Sequence, residues 1–285
     1  NREAAMLQPI TYRQLIADCE AETRRYVTLE REGAVATVRM DNPTRLNSLT
    51  PALCWQLHQT LRGLADDPAV RVIILTGADP AFCAGGDLEL IARGEPTIKE
   101  GAEGTAEIWR WIRRQFGGVA RLLTQTDKYC IAAVNGPAAG VGLSFAFACD
   151  HLIGSERAEL VLAFGRIGLV PEVGCNWQLT RRLGYHQAME LFIAGERLDA
   201  ARALQLGLLN RVVPHAQLLE QARQWAARVC AVPENVVEMT KAQMRKAADL
   251  SWDQALTLEE FAEPNCFTTE AHRAAVRGLL AAGRR

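Results

Sequence analysis

The order strand, glycine turn, helix occurs twice in this chain, and it constrains the fold more than any other feature. The first copy starts at "VRVIILTG", whose β-branched run reads as a buried strand, and passes through "ADPAFCAGG" into the helical "DLELI". The second starts at "YCIAAVNG", turns at Asn-Gly, and enters "PAAGVGLSFAFACD", a helix opening built almost wholly of small residues. "HLIGS" then reads as another strand. Strands alternating with helices in this way predict an α/β fold.

The flanking segments extend the pattern. "YVTLERE" and "AVATVRM" alternate as strands, with a hairpin turn expected near Gly33. Thr50-Pro51 supplies an N-cap followed by proline at the first helical position, and Leu53, Leu57, Leu61 and Leu64 repeat behind it at helical spacing. The chain divides into an amino-terminal extension (1–25), a core (26–213) and a carboxyl-terminal helical region (214–285). The extension is polar and weakly helical. Between Ile91 and Lys128 the polar "ARGEPTIKEGAEG" leads into a helical run, and the segment is expected to be a mobile insertion whose helix roofs a pocket.

Bulk properties narrow the function. With 32 basic and 33 acidic residues the net charge is −1, which argues against a broad nucleic-acid surface. The eight cysteines form no CxxC pair and no zinc-spaced cluster, and several sit inside apolar runs, so no metal site is expected and a reducing, cytoplasmic setting is the simpler reading. The first residues lack the apolar run of a signal peptide, and no segment is long enough to span a membrane.

Three places have the composition of a chemical site. Ala84-Gly85-Gly86 lets backbone approach a ligand closely, and Asp87 is placed to cap the helix that begins there. The start of the second helix offers free N–H groups to an anionic atom. The third is "GLVPEVGCNW", residues 168–177, where Glu172 stands among apolar and glycine residues with no basic residue in the stretch. Alone, each has a plain structural alternative: an ordinary turn, close helix packing, or a solvated loop acid. Asp150 reads as a residue that pins a turn. The five histidines have no nucleophile or second ligand nearby in sequence and are assigned no role.

In this order, "NPTRLNSLT", "AFCAGGDL", "IAAVNGPAAGVGLSFAFACD" and "GLVPEVGCNWQLTRRLGYHQAMELFIAGERLDAARALQLGLLNRVVP" resemble the enoyl-CoA hydratase/isomerase (crotonase) superfamily, from about Tyr26 to the carboxyl terminus. The resemblance implies a spiral of ββα units with a carboxyl-terminal helical region, assembled as a homotrimer or dimer of trimers. It implies an acyl-CoA thioester substrate and no further cofactor, the carbonyl oxygen lying between the backbone N–H groups of Gly86 and Val141. By motif position, Arg45 corresponds to a basic residue that contacts CoA phosphates, and the backbone near Phe82 and Ala84 to the contact for adenine and pantetheine.

The departures bear on the reaction. Hydratases of the family carry two glutamates at places matched here by Ser144 and Phe164, neither of which can act as a carboxylate base. Glu172 matches the acid of members that move a double bond. The resemblance therefore implies an enoyl-CoA isomerase in which Glu172 alone moves a proton from C2 to C4. Apolar walls are expected from Phe164, Phe145, Val141, Trp177 and the helix around Trp109 and Trp111, with Ser144 a small polar wall residue. Two alternatives stand: other chemistry on the same enolate (hydration, ring isomerisation, C–C cleavage), or a non-catalytic acyl-CoA-binding protein.

Overall fold

The computed structural model describes residues 9–99 and 101–282. Strand β1 (Val27–Glu32) pairs antiparallel with β2 (Val35–Met40) across a turn at Gly33, where φ is +58°. From β2 onward the sheet is parallel, through β3 (Val72–Gly77), β4 (Tyr129–Val134), β6 (His151–Ser155) and β9 (Arg211–Val213), in the order β1-β2-β3-β4-β6-β9. A second, small sheet holds β5 (Pro137–Ala139), β7 (Glu159–Val161) and β8 (Arg197–Asp199). Single bridges at Leu49–Gly86 and Cys83–Ala138 continue this inner layer toward the first turns of the chain. The chain thus lays down a long strand, a short inner one and a helix, then repeats: the expected ββα spiral.

The parallel strands read as unbroken apolar runs because both sheet faces are covered. Ile73, Leu75, Cys130, Ala132 and Val134 point into the main core, where Leu53, Leu57, Leu61 and Leu64 of helix Pro51–Ala65 meet them. Thr50 caps that helix by accepting the N–H of Leu53. The alternate residues Val72, Ile74, Ile131, Ala133 and Ile153 pack on Leu218, Ala222, Ala226 and Val229 of helix Leu218–Ala231. The first long helix after residue 214 therefore covers one face of the main sheet.

The next helix, Glu234–Ala247, is pinned by charge. Asp150 Oδ1 and Oδ2 pair with Arg245 at 2.7 Å and Lys241 at 2.9 Å, while Oδ2 also accepts the Cys130 N–H at 2.8 Å. Asp150 thus has the structural role its sequence position suggests. Helices Trp252–Phe267 and Glu270–Ala282 bury no residue and expose Trp252, Phe261, Phe267, Leu279 and Leu280. Among the described residues no helix is long and apolar enough to cross a membrane.

The segment after Ile91 is helical almost throughout, as Leu88–Lys99, Ala102–Trp111, a π-helical turn at Ile112–Phe116, and Gly117–Gln125. Ahead of β1, helix Tyr12–Ala21 is capped by Thr11, which accepts the Gln14 N–H, and buries Leu15 and Cys19 at helical spacing.

Candidate active site

The two glycine turns pack directly on each other, and glycine is what permits it. Gly85 has φ +94°, and a Cβ there would sit 2.7 Å from the Ala139 carbonyl oxygen. A Cβ on Gly142 would lie 2.6 Å from the Cys83 carbonyl oxygen. In place of such clashes the Ala139 N–H donates to Cys83 O at 2.9 Å, and the N–H groups of Phe82 and Cys83 share Pro137 O at 3.1 Å. This junction brings Gly86 and Val141 to one cavity. Val141 opens a helix, Val141–Ala148, that is buried at all eight positions. Among the described residues no backbone carbonyl accepts the N–H of Gly86 or of Val141. Donors left free at a helix start and a glycine turn are suited to an oxyanion.

Asn47 explains why the first turn keeps its shape. Fully buried, it donates through Nδ2 to the carbonyls of Ala78 and Ala81, both at 2.7 Å, and accepts the Asn42 N–H through Oδ1 at 2.8 Å. Asp87 caps the following helix by accepting the Glu89 N–H at 3.1 Å. Arg45 pairs with Asp87 at 3.2 Å and Glu89 at 3.1 Å, and it lines a separate polar recess with Asn42, Thr44 and Glu22. Its guanidinium braces the glycine turn from outside the cavity.

Glu172 reaches the cavity from a tightly turned loop. Val173 holds φ +57°, unusual for a β-branched residue, and Gly174 holds +85° before helix Cys175–Leu183 begins. The Glu172 carbonyl accepts from Ser144 Oγ at 3.0 Å and from the Cys175 N–H at 3.1 Å, and Asn176 Nδ2 donates to Pro171 O at 3.0 Å. The half-buried carboxyl has its pKa pushed above the ordinary glutamate value by burial alone. Among the described residues no side chain or N–H pairs with that carboxylate. Among the described residues the other two acids on the cavity wall are engaged: Asp87 as above, Glu107 with Arg110 and with the Tyr12 N–H.

The cavity has a volume of about 410 Å³. Ala84, Gly86, Val141, Phe164 and Glu172 share it, with Trp111 and Phe116 adding aromatic walls. The Trp111 indole N–H is buried and finds no acceptor among the described residues. Other residues expected at the site lie elsewhere. Phe145 is a fully buried core residue off the cavity wall; the Phe82 side chain is buried as well, and the contact expected there is one of its backbone. Trp177 is turned away by the loop preceding its helix; it lines a neighbouring recess with Ser144 and Val173, under the Arg181 guanidinium at 4.2 Å. Trp109 is exposed on the outer face of the helix whose Trp111 faces in. Sequence reading missed Ile10, Tyr12 and Leu15, all on the wall, although the apolar spacing of Leu15 and Cys19 was a signal.

A parallel α/β spiral whose inner turns present two free N–H groups and, among the described residues, one half-buried carboxylate without a partner fits an enzyme of the crotonase type, acting on acyl-CoA. The chain belongs to the enoyl-CoA hydratase/isomerase family, whose model matches residues 30–281. It is 32% identical over 251 residues to 1,2-epoxyphenylacetyl-CoA isomerase of Escherichia coli, covering 88% of this chain and 93% of the relative. Mitochondrial enoyl-CoA hydratase of Pongo abelii is 31% identical over 238 residues, 82% of this chain and 78% of the relative. The crystal structure of an enoyl-CoA hydratase from Polaromonas superposes with a TM-score of 0.79 at 28% identity, covering 91% of this chain and 97% of that one. Residues 9–29 lie ahead of the span the family model matches.

Proposed function

We propose that the protein shifts the double bond of a 3-enoyl-CoA to the 2-position, with Glu172 as its acid/base. One observation carries this reading: among the described carboxylates on the cavity wall, Glu172 alone is free of cation and N–H partners, while Ser144 and Phe164 occupy the places where hydratases of the family hold glutamates. The thioester oxygen lies between the N–H groups of Gly86 and Val141. The Glu172 carboxylate takes the proton from C2, and electrons move into the thioester to give a dienolate whose oxygen those donors hold. The same carboxylic acid then returns the proton to C4, so that C3=C4 becomes C2=C3 with no net change in composition. Each fixed donor of this kind is worth about 2.7–4 kcal/mol to the barrier. Phe164, Trp111 and Phe116 keep water away, which favours proton return over hydration and pushes the pKa of the acid upward.

CoA enters as part of the substrate, and the reaction draws on no further cofactor. The reading also takes the chain as a homotrimer or dimer of trimers, supported by the unburied apolar residues of helices Trp252–Phe267 and Glu270–Ala282. Eight free cysteines fit a reducing, cytoplasmic setting. The test is Glu172→Gln: isomerisation of a 3-enoyl-CoA is expected to vanish while a saturated acyl-CoA still binds. Retained turnover in that variant overturns the proposal. The likeness to 1,2-epoxyphenylacetyl-CoA isomerase favours a second reading, ring isomerisation by the same residues, and turnover of an epoxide thioester in preference to 3-enoyl-CoA would select it.

A further inference from the structure

The helix Tyr12–Ala21 lies ahead of the family span, yet its side chains and the residue leading into it form part of the cavity wall. Ile10, Tyr12 and Leu15 line the cavity together with Ile108 and Trp111 of helix Ala102–Trp111. Their seat is specific. The Ile10 N–H donates to Thr97 Oγ1 at 2.7 Å, and the Tyr12 N–H to Glu107 Oε2 at 2.6 Å. Gln115 Nε2 donates to the Tyr12 hydroxyl at 2.9 Å, and the Tyr12 and Trp111 rings lie 6.5 Å apart. One turn further along the same face the helix buries Cys19. Two backbone donors of the segment are thus satisfied by side chains of two helices that form the neighbouring wall, which ties its position to theirs.

We propose that this amino-terminal segment is the wall that limits the length of the acyl tail, with Leu15 and Ile10 as specificity-determining residues for a hydrocarbon chain. The chemistry of the wall sets the tail's class. Ile10 and Leu15 offer only hydrocarbon, the Tyr12 hydroxyl accepts from Gln115, and the Glu107 carboxylate is spent on Arg110 and the Tyr12 N–H. Apart from the Trp111 indole N–H and the Tyr12 hydroxyl, a polar tail finds no partner on this surface among the described residues, whereas methylene groups gain from Ile10 and Leu15. Shortening Leu15 or Ile10 opens room that a longer tail can fill.

The inference rests on the reading that the cavity takes an acyl-CoA, and binding of saturated thioesters tests it without requiring turnover. Dissociation constants for straight-chain acyl-CoAs from butyryl to palmitoyl are measured for the wild type, Leu15→Ala and Ile10→Ala. The half-buried Ile10 lies outside the helix, so its variant keeps the test decisive should Leu15→Ala fail to fold. The length of tightest binding is expected to move to longer chains in each folded variant, each methylene newly accommodated tightening binding by about fourfold. Binding with an unmoved optimum in the folded variants overturns this inference alone. Failure of the wild type to bind any acyl-CoA overturns both it and the reading beneath it.

Discussion

Ser144 Oγ donates to the carbonyl oxygen of Glu172 at 3.0 Å, joining the buried helix Val141–Ala148 to the loop that carries the free acid. The same helix begins with the Val141 N–H. One short element therefore sets both the donor side and the acid side of the cavity, and the distance between them depends on the Ser144 hydroxyl.

Ser144→Ala removes this tie while leaving the Cys175 N–H on the same carbonyl. The loss of one neutral hydrogen bond costs about 1 kcal/mol, which at the transition state is a fall in kcat of about fivefold. KM and the affinity for a saturated acyl-CoA are expected to stay near wild type, because the hydroxyl lies off the cavity wall. A looser loop also admits water to Glu172, so the acid limb of the pH profile should move downward. A variant with an unchanged kcat and pH profile would show Ser144 to be only a packing residue.

Burial raises the Glu172 pKa above its ordinary value of 4.5, and two consequences of opposite kind follow. As the base in the proposed reaction, Glu172 must be ionised, so kcat/KM rises with pH through the raised value and levels above it. For stability the sign is reversed. Folding favours the protonated form, so the increment that proton provides is fully present below the unfolded-state value and is lost as pH rises through the raised folded value. Glu172→Gln keeps the shape without the charge. Near neutral pH it is expected to melt above the wild type, and the gap should close as pH falls below the glutamate range. A lower melting temperature for the variant at neutral pH would contradict this account of the desolvated carboxylate.

Local sequence patterns carried the scaffold because their causes are local. Leu53, Leu57, Leu61 and Leu64 share a helix face at their own spacing, and Thr50-Pro51 caps that helix within four residues. The glycine turns were legible since only glycine tolerates the approach at Gly85 and Gly142. What failed depended on packing between distant segments or on rotation about a helix. Trp177 follows the left-handed turn at Val173 and Gly174, which aims it into the neighbouring recess although it is only five residues from Glu172. Trp109 and Trp111 are two residues apart and so face nearly opposite sides of one helix. The wall role of Ile10, Tyr12 and Leu15 requires contacts across about ninety residues of chain, of which the Tyr12–Glu107 hydrogen bond, 95 residues apart, is the longest in sequence among the amide donors of that segment.

Gly142→Ala tests whether the packing of the two turns sets the rate. The added methyl would lie 2.6 Å from Cys83 O and 2.7 Å from Cys83 Sγ, so helix Val141–Ala148 must move away from the turn that carries Gly86. Overpacking of this kind costs about 1–3 kcal/mol of stability. It also separates the two N–H groups, and a displaced oxyanion donor lowers kcat by about 100-fold or more. Gly63→Ala is the control: it lies in helix Pro51–Ala65 with no atom within 4 Å of the added Cβ, and it should gain about 1 kcal/mol from helix propensity with the rate unchanged. Thermal melts and steady-state kinetics on the pair separate a general loss of stability from a loss of donor geometry. If Gly142→Ala turned over a 3-enoyl-CoA at the wild-type rate, the N–H groups of Gly86 and Val141 would not be the pair that holds the enolate.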